Sequence, residues 1–299
     1  MMDFTLTERQ RAVASLAAEI LGREDDPWQE LAKAGLLDGD LGVLDTAILL
    51  TEIGQRAPSM KALSLAGAPA IREPSDPQPA TPATTIANGK ITGVKVGVPY
   101  AAEADRILVP TSTGVALVDP RAPGVALTRT PSSTGEPEYT LRLDQAPVES
   151  MLGPAGCVRD LYRLAVAGAC ALADGALAGA LALTRDHVAT REQFGRPLAA
   201  FQAVSQQIAD VYIASRTLHL ATLSACWRLG EDRDPGADLD VAAYWCAEHA
   251  PRSVRVCHHL HGGLGMDVTY PLHRFSSLIS DLVRFLGGSD YRLDLCSST

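Results

Sequence analysis

Residues 190–202 read TREQFGRPLAAFQ and interrupt an alanine-rich, helix-forming stretch with an arginine, an aromatic ring and a glycine. Arg191 carries a planar guanidinium that suits a pyrophosphate, and Phe194 offers an aromatic wall. Further along the chain, Gly262 and Gly263 allow backbone N–H groups to approach a ligand closely. Together the two motifs favour a dinucleotide site.

A purely structural interpretation of the first motif is also open. Phe194, Leu198 and Phe201 have the spacing of apolar side chains that pack together where a helix begins. Arg191 would then make an ordinary ion pair at the surface. This interpretation explains the first motif alone, but it leaves the glycine pair of the second motif without a purpose.

Other residue patterns that could do chemistry are weaker. Cys257 and His261 in the run CHHLH lie on one helical face, but no carboxylate at metal-ligand spacing accompanies them. The segment 231–240, EDRDPGADLD, lacks the closing glutamate of a calcium-binding loop. No G-x-S-x-G motif of a serine hydrolase is present. The sequence therefore predicts neither a metal site nor a nucleophilic serine.

Composition limits the classes of partner. The formal net charge of −9 argues against nucleic acid or an anionic membrane as the main partner. The six cysteines are scattered among apolar residues, where cysteine behaves as a small buried hydrophobe. The chain opens with polar residues, and we find no apolar run near the roughly 20 residues that span a bilayer. We expect a cytoplasmic protein.

Hydrophobic periodicity predicts helices in the N-terminal segment, over about residues 3–62. Thr5 and Glu8 have the spacing of a capping box at the start of its first helix. The following segment contains five closely spaced prolines, which forbid a helix and favour an extended, solvated linker.

After the prolines the period changes. Short β-branched runs separated by glycine, proline and polar residues predict a compact unit of about five to seven strands. It holds no glycine-rich phosphate loop, which argues against a Rossmann unit. The remaining chain is rich in alanine, leucine and glycine, and its long helices need partners to bury that surface. They are predicted over about 155–190, 199–229, 236–261, 271–286 and 289–296.

We therefore predict an α+β multidomain protein with a small β-barrel-like middle domain and a C-terminal four-helix bundle. The predicted segments are a truncated N-terminal helical domain, a proline-rich linker, a middle β domain and the bundle, over residues 1–66, 67–83, 84–150 and 151–299.

At TREQFGRPLAAFQAVSQQIADV and LHGGLGMDVTYPLHR the sequence resembles the acyl-CoA dehydrogenase family, which has the same order of helical, β and helical domains. In that family these motifs hold the ADP half of an FAD that belongs to the neighbouring subunit. The resemblance implies cofactor-binding roles for Arg191, Gln193, Phe194, Leu198, Phe201, Gln202, Val204, His259, Leu260, Gly262 and Gly263. His259 stands where the family usually has glutamine, and it retains a hydrogen-bonding side chain.

The resemblance also shows what this chain lacks. Family members place a catalytic glutamate at one of two positions, and here those positions hold Tyr162 and Leu286. Leucine cannot act as a base, and nor can a neutral tyrosine with an ordinary pKa of about 10. The chain also lacks the family's flavin-ring segment and about half of its usual N-terminal helices. The resemblance therefore implies a non-catalytic subunit.

Bacterial α2β2 acyl-CoA dehydrogenases that act on steroid side-chain CoA thioesters are similar in this respect. In them a shorter, degenerate subunit completes a tetramer with a catalytic one. The resemblance implies FAD at the interface with a catalytic partner that also binds most of the acyl-CoA. Two alternatives are a structural homologue without flavin and an active homo-oligomer that uses another carboxylate, such as Asp290.

Overall fold

The computed structural model describes residues 5–23, 27–37, 40–56, 58–65 and 67–297. Helices occupy both ends of this described chain and strands occupy its middle. The predicted α+β class and the predicted order of elements are therefore confirmed.

The helices are α1 Glu8–Leu21, α2 Trp28–Lys33, α3 Val43–Arg56, α4 Gly156–Thr190, α5 Gln202–Gly230, α6 Gly236–His261, α7 Leu272–Leu286 and α8 Ser289–Ser297. The strands are β1 Ala68–Pro69, β2 Thr85–Ala87, β3 Lys90–Pro99, β4 Ile107–Thr111, β5 Gly114–Val118, β6 Val125–Thr130, β7 Glu138–Pro147, β8 Ser150–Leu152, β9 Glu192–Gln193 and β10 Arg196–Pro197.

The N-cap of helix α1 lies two residues later than the sequence suggested. Its N-cap is Thr7, whose side chain accepts from the Gln10 N–H, while the Gln10 side chain accepts from the Thr7 N–H. The capping box predicted at Thr5 and Glu8 is wrong, because Glu8 is already the first helical residue. Both pairs have the Ser/Thr-x-x-Glu/Gln spacing, and the buried face of α1 selects between them.

The chain divides into two compact units. One comprises Met1–Pro58, Cys170–Val283 and Gly288–Thr299, and the other comprises Ser59–Ala169 and Arg284–Gly287. The first is helical, and the second contains strands β1 to β8. The four-segment division predicted from the sequence stays a proposal.

In the β unit, the strands form two four-stranded sheets with the orders β1-β4-β5-β8 and β2-β3-β7-β6. Side chains from both sheets, including Ile91, Ile107 and Leu141, belong to one buried core. The described strands form two open sheets, so the predicted barrel-like domain is not a closed barrel.

The proline-rich segment 67–83 is not the solvated linker that the sequence predicted. Strand β1 pairs in parallel with β4, and Ala70 and Ile71 are fully buried. The buried carboxylate of Glu73 lies 2.7 Å from Nζ of Lys95, which is itself fully buried. A buried charge is costly unless it is paired, so this ion pair fixes the segment to strand β3. The prolines keep the segment extended, but several of its residues are buried and not exposed to solvent.

In the helical unit, α3 crosses α4 at a close backbone approach. A Cβ on Gly54 would collide with the Leu172 carbonyl, and one on Gly175 would collide with the Thr51 carbonyl. The Thr51 hydroxyl also donates to the Ala171 carbonyl at 3.3 Å. Glycine is required at this crossing because any side chain would separate the two helices.

One sequence-based expectation is wrong for α4. By length and composition this helix is apolar enough to cross a membrane, whereas we expected no such segment. Most of its apolar stretch is buried inside the protein, which is the arrangement of a core helix. Cys170, on α4, is among the four fully buried cysteines, as the sequence suggested. Burial raises the pKa of the Cys226 and Cys246 thiols to about 12.

Candidate functional site

The TREQFGRP motif forms a tight hairpin directly after α4. Strands β9 and β10 pair antiparallel, with Phe194 and Gly195 as the two turn residues. Both have positive φ, +53° and +77°, as a type I′ turn requires. Phenylalanine rarely adopts this conformation, and such strain persists mainly where function requires it, at a cost of about 1–3 kcal/mol. The Phe194 side chain is 93% exposed.

The start of α5 supports this hairpin. The Phe194 ring meets the edge of the Phe201 ring at 6.2 Å between centroids. The Arg196 guanidinium lies 4.1 Å from the Phe201 centroid, a cation–π distance. The Leu198 N–H donates to the Arg191 carbonyl at 2.8 Å and closes the hairpin. The predicted contact between Phe194 and Phe201 therefore exists, but it leaves most of Phe194 in solvent.

Arg191 does not make the surface ion pair of the purely structural interpretation. Its side chain is exposed and forms no ion pair with any other residue in the described ranges. Its backbone N–H donates to the His187 carbonyl at 2.8 Å, so the arginine is held at the end of α4. A guanidinium without a carboxylate partner is available to an anionic ligand.

The glycine motif forms a second open turn at the end of α6. Gly262 has φ +58° and ψ −133°, a combination that favours glycine. A Cβ on Gly262 or Gly263 would meet nothing within 4 Å, so the surface over the turn is open. Gly265 differs, because a Cβ there would lie 2.8 Å from the His258 carbonyl.

A histidine pair joins the two motifs. The rings of His187 and His261 stack with their centroids 4.4 Å apart and an angle of 19° between their planes. His187 lies one helical turn before Arg191, and His261 directly precedes Gly262. The end of α4 and the glycine turn are therefore neighbours in the same unit.

The other predicted cofactor residues lie close to these turns. Gln193, Gln202 and His259 are exposed, Val204 is half-buried, and Leu260 is buried. The Gln193 amide donates to the Glu192 carbonyl at 2.9 Å. The polar side chains among them are accessible to a ligand, whereas the Leu260 side chain packs into the core.

The arrangement fits a dinucleotide. An unpaired guanidinium can hold a pyrophosphate, exposed Phe194 can cover an aromatic ring, and the open glycine turn presents backbone N–H groups. Chemically these groups bind and orient a ligand. None of them is placed to abstract a proton.

The two positions at which the resemblance would place a catalytic base hold a tyrosine and a leucine. The Tyr162 hydroxyl donates to the Pro79 carbonyl at 3.1 Å, so it is held by the proline-rich segment. Leu286 is fully buried. Asp290, the alternative carboxylate, is exposed in the first turn of α8.

In the CHHLH run, for which we predicted no metal site, the His261 side chain makes two hydrogen bonds. His261 uses Nδ1 for the Cys257 carbonyl and Nε2 for the Tyr270 hydroxyl. No group of three potential metal ligands occurs within the described residues. Sequence reasoning missed this histidine network, because His187 and His261 are far apart in the chain and only the packing of α4 against α6 brings them together.

Comparisons with known proteins agree with these features. Residues 160–291 match the model of the acyl-CoA dehydrogenase C-terminal domain. The chain is 42% identical to acyl-CoA dehydrogenase FadE28 of Mycobacterium tuberculosis (strain ATCC 25618 / H37Rv), over 100% of both chains. It is similar to the ChsE4-ChsE5 complex from Mycobacterium tuberculosis, with a TM-score of 0.88 and 26% identity over 99% of this chain and 98% of that chain.

A steroid acyl-CoA dehydrogenase (ACAD) structure, the Tcur3481-Tcur3483 steroid ACAD G363A variant, matches with a TM-score of 0.87 and 28% identity over 98% of both chains. The fold is that of an acyl-CoA dehydrogenase. The chain belongs to the acyl-CoA dehydrogenase family, whose members are FAD-dependent oxidoreductases.

Proposed function

We propose that this chain is the non-catalytic subunit of a heteromeric acyl-CoA dehydrogenase and completes the FAD site of a catalytic partner. The observation that carries the proposal is a contrast within the chain. The Arg191 guanidinium has no ion-pair partner in the described ranges and the glycine turn is open, while the two proposed base positions, Tyr162 and Leu286, lack a carboxylate.

The FAD-binding half of the proposal rests on Arg191, Phe194 and Gly262. A structural homologue without flavin would gain nothing from these features. They are an arginine without an ion-pair partner in the described chain, an exposed phenylalanine in a strained turn, and an open glycine turn. These residues would hold the ADP half of FAD at the interface with the partner subunit. The exposure of Phe194 suits a position that a second chain covers.

The proposed non-catalytic role is argued from the chemistry of dehydrogenation. Dehydrogenation removes a proton from the α-carbon of the acyl thioester, and when bound, FAD accepts the hydride that leaves the β-carbon. The proton requires a carboxylate base. The Tyr162 hydroxyl instead donates a hydrogen bond to the Pro79 carbonyl, and Leu286 has no ionisable group. The partner subunit would supply the base and bind most of the substrate.

The similar complexes support a proposal for the substrate class and the assembly. The similar solved structures include a two-protein complex and a steroid acyl-CoA dehydrogenase named for two proteins. We propose an α2β2 heterotetramer in the cytoplasm that acts on a steroid side-chain CoA thioester. Nucleic acid and membrane have no part in this function.

Co-expression tests the proposal. The chain is purified alone and together with a full-length family member encoded beside it, and flavin absorbance is measured for both. We expect little FAD in the chain alone and a yellow, active complex with the partner. A yellow, active chain alone would mean a homo-oligomeric enzyme, for which Asp290→Asn would identify the base. A flavin-free complex with the partner would favour a structural homologue.

A further inference from the structure

Four ring side chains lie behind the glycine turn and connect it to α4 and to the following loop. We call His187, His258, His261 and Tyr270 the histidine clip. His258 and His261 are three residues apart on α6, so both lie on one face of the helix near its end. We predicted no functional role for these residues, either from the family resemblance or from the sequence pattern.

The hydrogen bonds of His261 fix its tautomer. Its Nδ1 lies 2.8 Å from the Cys257 carbonyl, which can only accept, so Nδ1 carries the proton. Its Nε2 lies 3.1 Å from the Tyr270 hydroxyl, which therefore donates to it. A neutral His261 thus links the end of α6 to the loop that follows the glycine turn.

His258 holds the other side of the same turn. Its Nδ1 lies 2.7 Å from the Gly265 carbonyl and therefore donates to it. Its Nε2 lies 3.0 Å from the Ser276 hydroxyl on α7. The His258 side chain on α6 therefore connects the turn from Gly262 to Gly265 with α7, the helix that follows the turn.

The stack of His261 on His187 connects this hydrogen-bond network to α4. Burial lowers the pKa of His187, and the nearby Arg191 lowers it further. Burial also lowers the pKa of His261, in spite of its bond to the Cys257 carbonyl, and His187 and His258 contribute in the same direction. Neutral rings stack without repulsion, so the pair brings the Arg191 end of α4 against the glycine turn.

We propose that His261 is a positioning residue for the dinucleotide: through its hydrogen bond to Tyr270 and its stack on His187, it sets the glycine turn relative to Arg191. The inference rests on the proposed function, since it assumes that FAD binds over these two turns. His261 itself is buried and need not contact the ligand.

The test measures the FAD dissociation constant of the co-purified complex by flavin fluorescence, with thermal unfolding recorded for each variant. His261→Phe keeps a ring for stacking but cannot accept from Tyr270, and we expect affinity to fall about fivefold to tenfold. His261→Gln retains an acceptor for the Tyr270 hydroxyl and should restore most of the affinity. Tyr270→Phe removes the same bond from the other side.

The double variant His261→Phe/Tyr270→Phe should bind FAD no more weakly than His261→Phe alone, because both changes remove one interaction. His249→Phe is the matched control, since His249 also lies on α6 and stacks on Trp245 at 3.8 Å. It should leave FAD affinity unchanged.

The outcomes separate this inference from the proposed function. A wild-type complex without FAD would overturn the proposed function itself. If the wild type binds FAD and His261→Phe and Tyr270→Phe bind it equally well, the positioning role is wrong and the proposed function stands. Full affinity in Tyr270→Phe together with a loss in His261→Phe would also overturn the role, because the Tyr270 bond would then not matter.

Discussion

Phe194 combines two features that folding alone would avoid, a positive φ and an almost fully exposed aromatic side chain. Each has a cost, in backbone strain and in apolar surface left in water. A ligand or a neighbouring chain that covers the ring removes the second cost and offsets the first. The guanidinium of the neighbouring Arg191 forms no ion pair within the described chain, which supports the same conclusion.

Arg191→Ala in the complex should weaken FAD binding without unfolding either subunit. Loss of a charge-assisted hydrogen bond to a pyrophosphate costs about 1.5–3 kcal/mol, roughly one to two decades in affinity. Flavin content after extensive dialysis measures the effect. The control is Arg185→Ala, because Arg185 is an exposed arginine on α4 that pairs with Asp186. Unchanged flavin content in Arg191→Ala would contradict the assignment.

Substitutions of Tyr162 test whether this chain supplies a catalytic base. Tyr162→Phe removes the hydroxyl that bonds to Pro79 and should leave most of the turnover of the complex intact. Removal of the partner's base should instead lower turnover by about 10²–10⁴-fold. Tyr162→Glu alone should not create a second active site, because the chain would still lack the family's flavin-ring segment and its turn at Leu286 would still differ from the family pattern. A fall of that size in Tyr162→Phe would show that Tyr162 takes part in catalysis.

The stacked histidines predict a pH dependence of stability. Burial lowers the pKa of His187 and His261 in the folded chain, so the unfolded chain binds more protons just below the ordinary histidine pKa of about 6.5. Stability is therefore fully present above that pH and is lost as pH falls through the lowered pKa values. The unfolding temperature of the complex, followed from about pH 7.5 to about pH 5.5, measures this loss. His187→Phe should make the decline shallower, and an unaltered slope would be evidence against the explanation.

Individual elements differ in how far the sequence determined them. Helix α6 spans the predicted residues 236–261 and ends at the two glycines that follow. The strands of the β unit also follow the β-branched runs. By contrast, the pairing of β1 with β4 and the burial of Glu73 depend on residues distant in the chain. A count of prolines excludes a helix but does not show what the extended segment packs against.

The same distinction applies to the candidate site. The two motifs could be found from residue type and spacing, because each one is local. The strained turn at Phe194 and the stack of His187 on His261 could not, because the first depends on backbone angles and the second on helix packing. Histidines at three-residue spacing on α6 were the only local signal of the histidine clip.

The buried ion pair between Glu73 and Lys95 gives a prediction at the scale of an element. Burial alone would raise the pKa of Glu73, but hydrogen bonds from Lys95 and the Ala83 N–H lower it, so the carboxylate is charged. Lys95→Met leaves that charge buried without its cation and should cost about 3–5 kcal/mol.

Urea unfolding of the complex measures this cost. Lys90→Met is the matched control, since Lys90 is an exposed lysine on the same strand. It should change stability by less than about 0.5 kcal/mol. Equal midpoints for Lys95→Met and Lys90→Met would show that the ion pair does not hold the proline-rich segment in place.

In the described part of the helical unit, several large apolar side chains are exposed. Met266 and Val268, in the segment after the glycine turn, are 80% and 81% exposed, and Tyr212 and Ile213 on α5 are more than half exposed. Together with Phe194 they are the most exposed large hydrophobic side chains in the described part of the chain. Exposed apolar surface of this kind is typical of a face that another subunit covers.

The most direct test of the proposed function is the ratio of FAD to subunits in the purified complex, measured together with turnover per FAD. If this chain completes the partner's site and has no catalytic site of its own, each pair of one chain and one partner holds a single FAD. All turnover is then lost when the partner's base is removed. An FAD for every subunit, or loss of activity on Asp290→Asn in this chain alone, would mean that the chain is an enzyme in its own right.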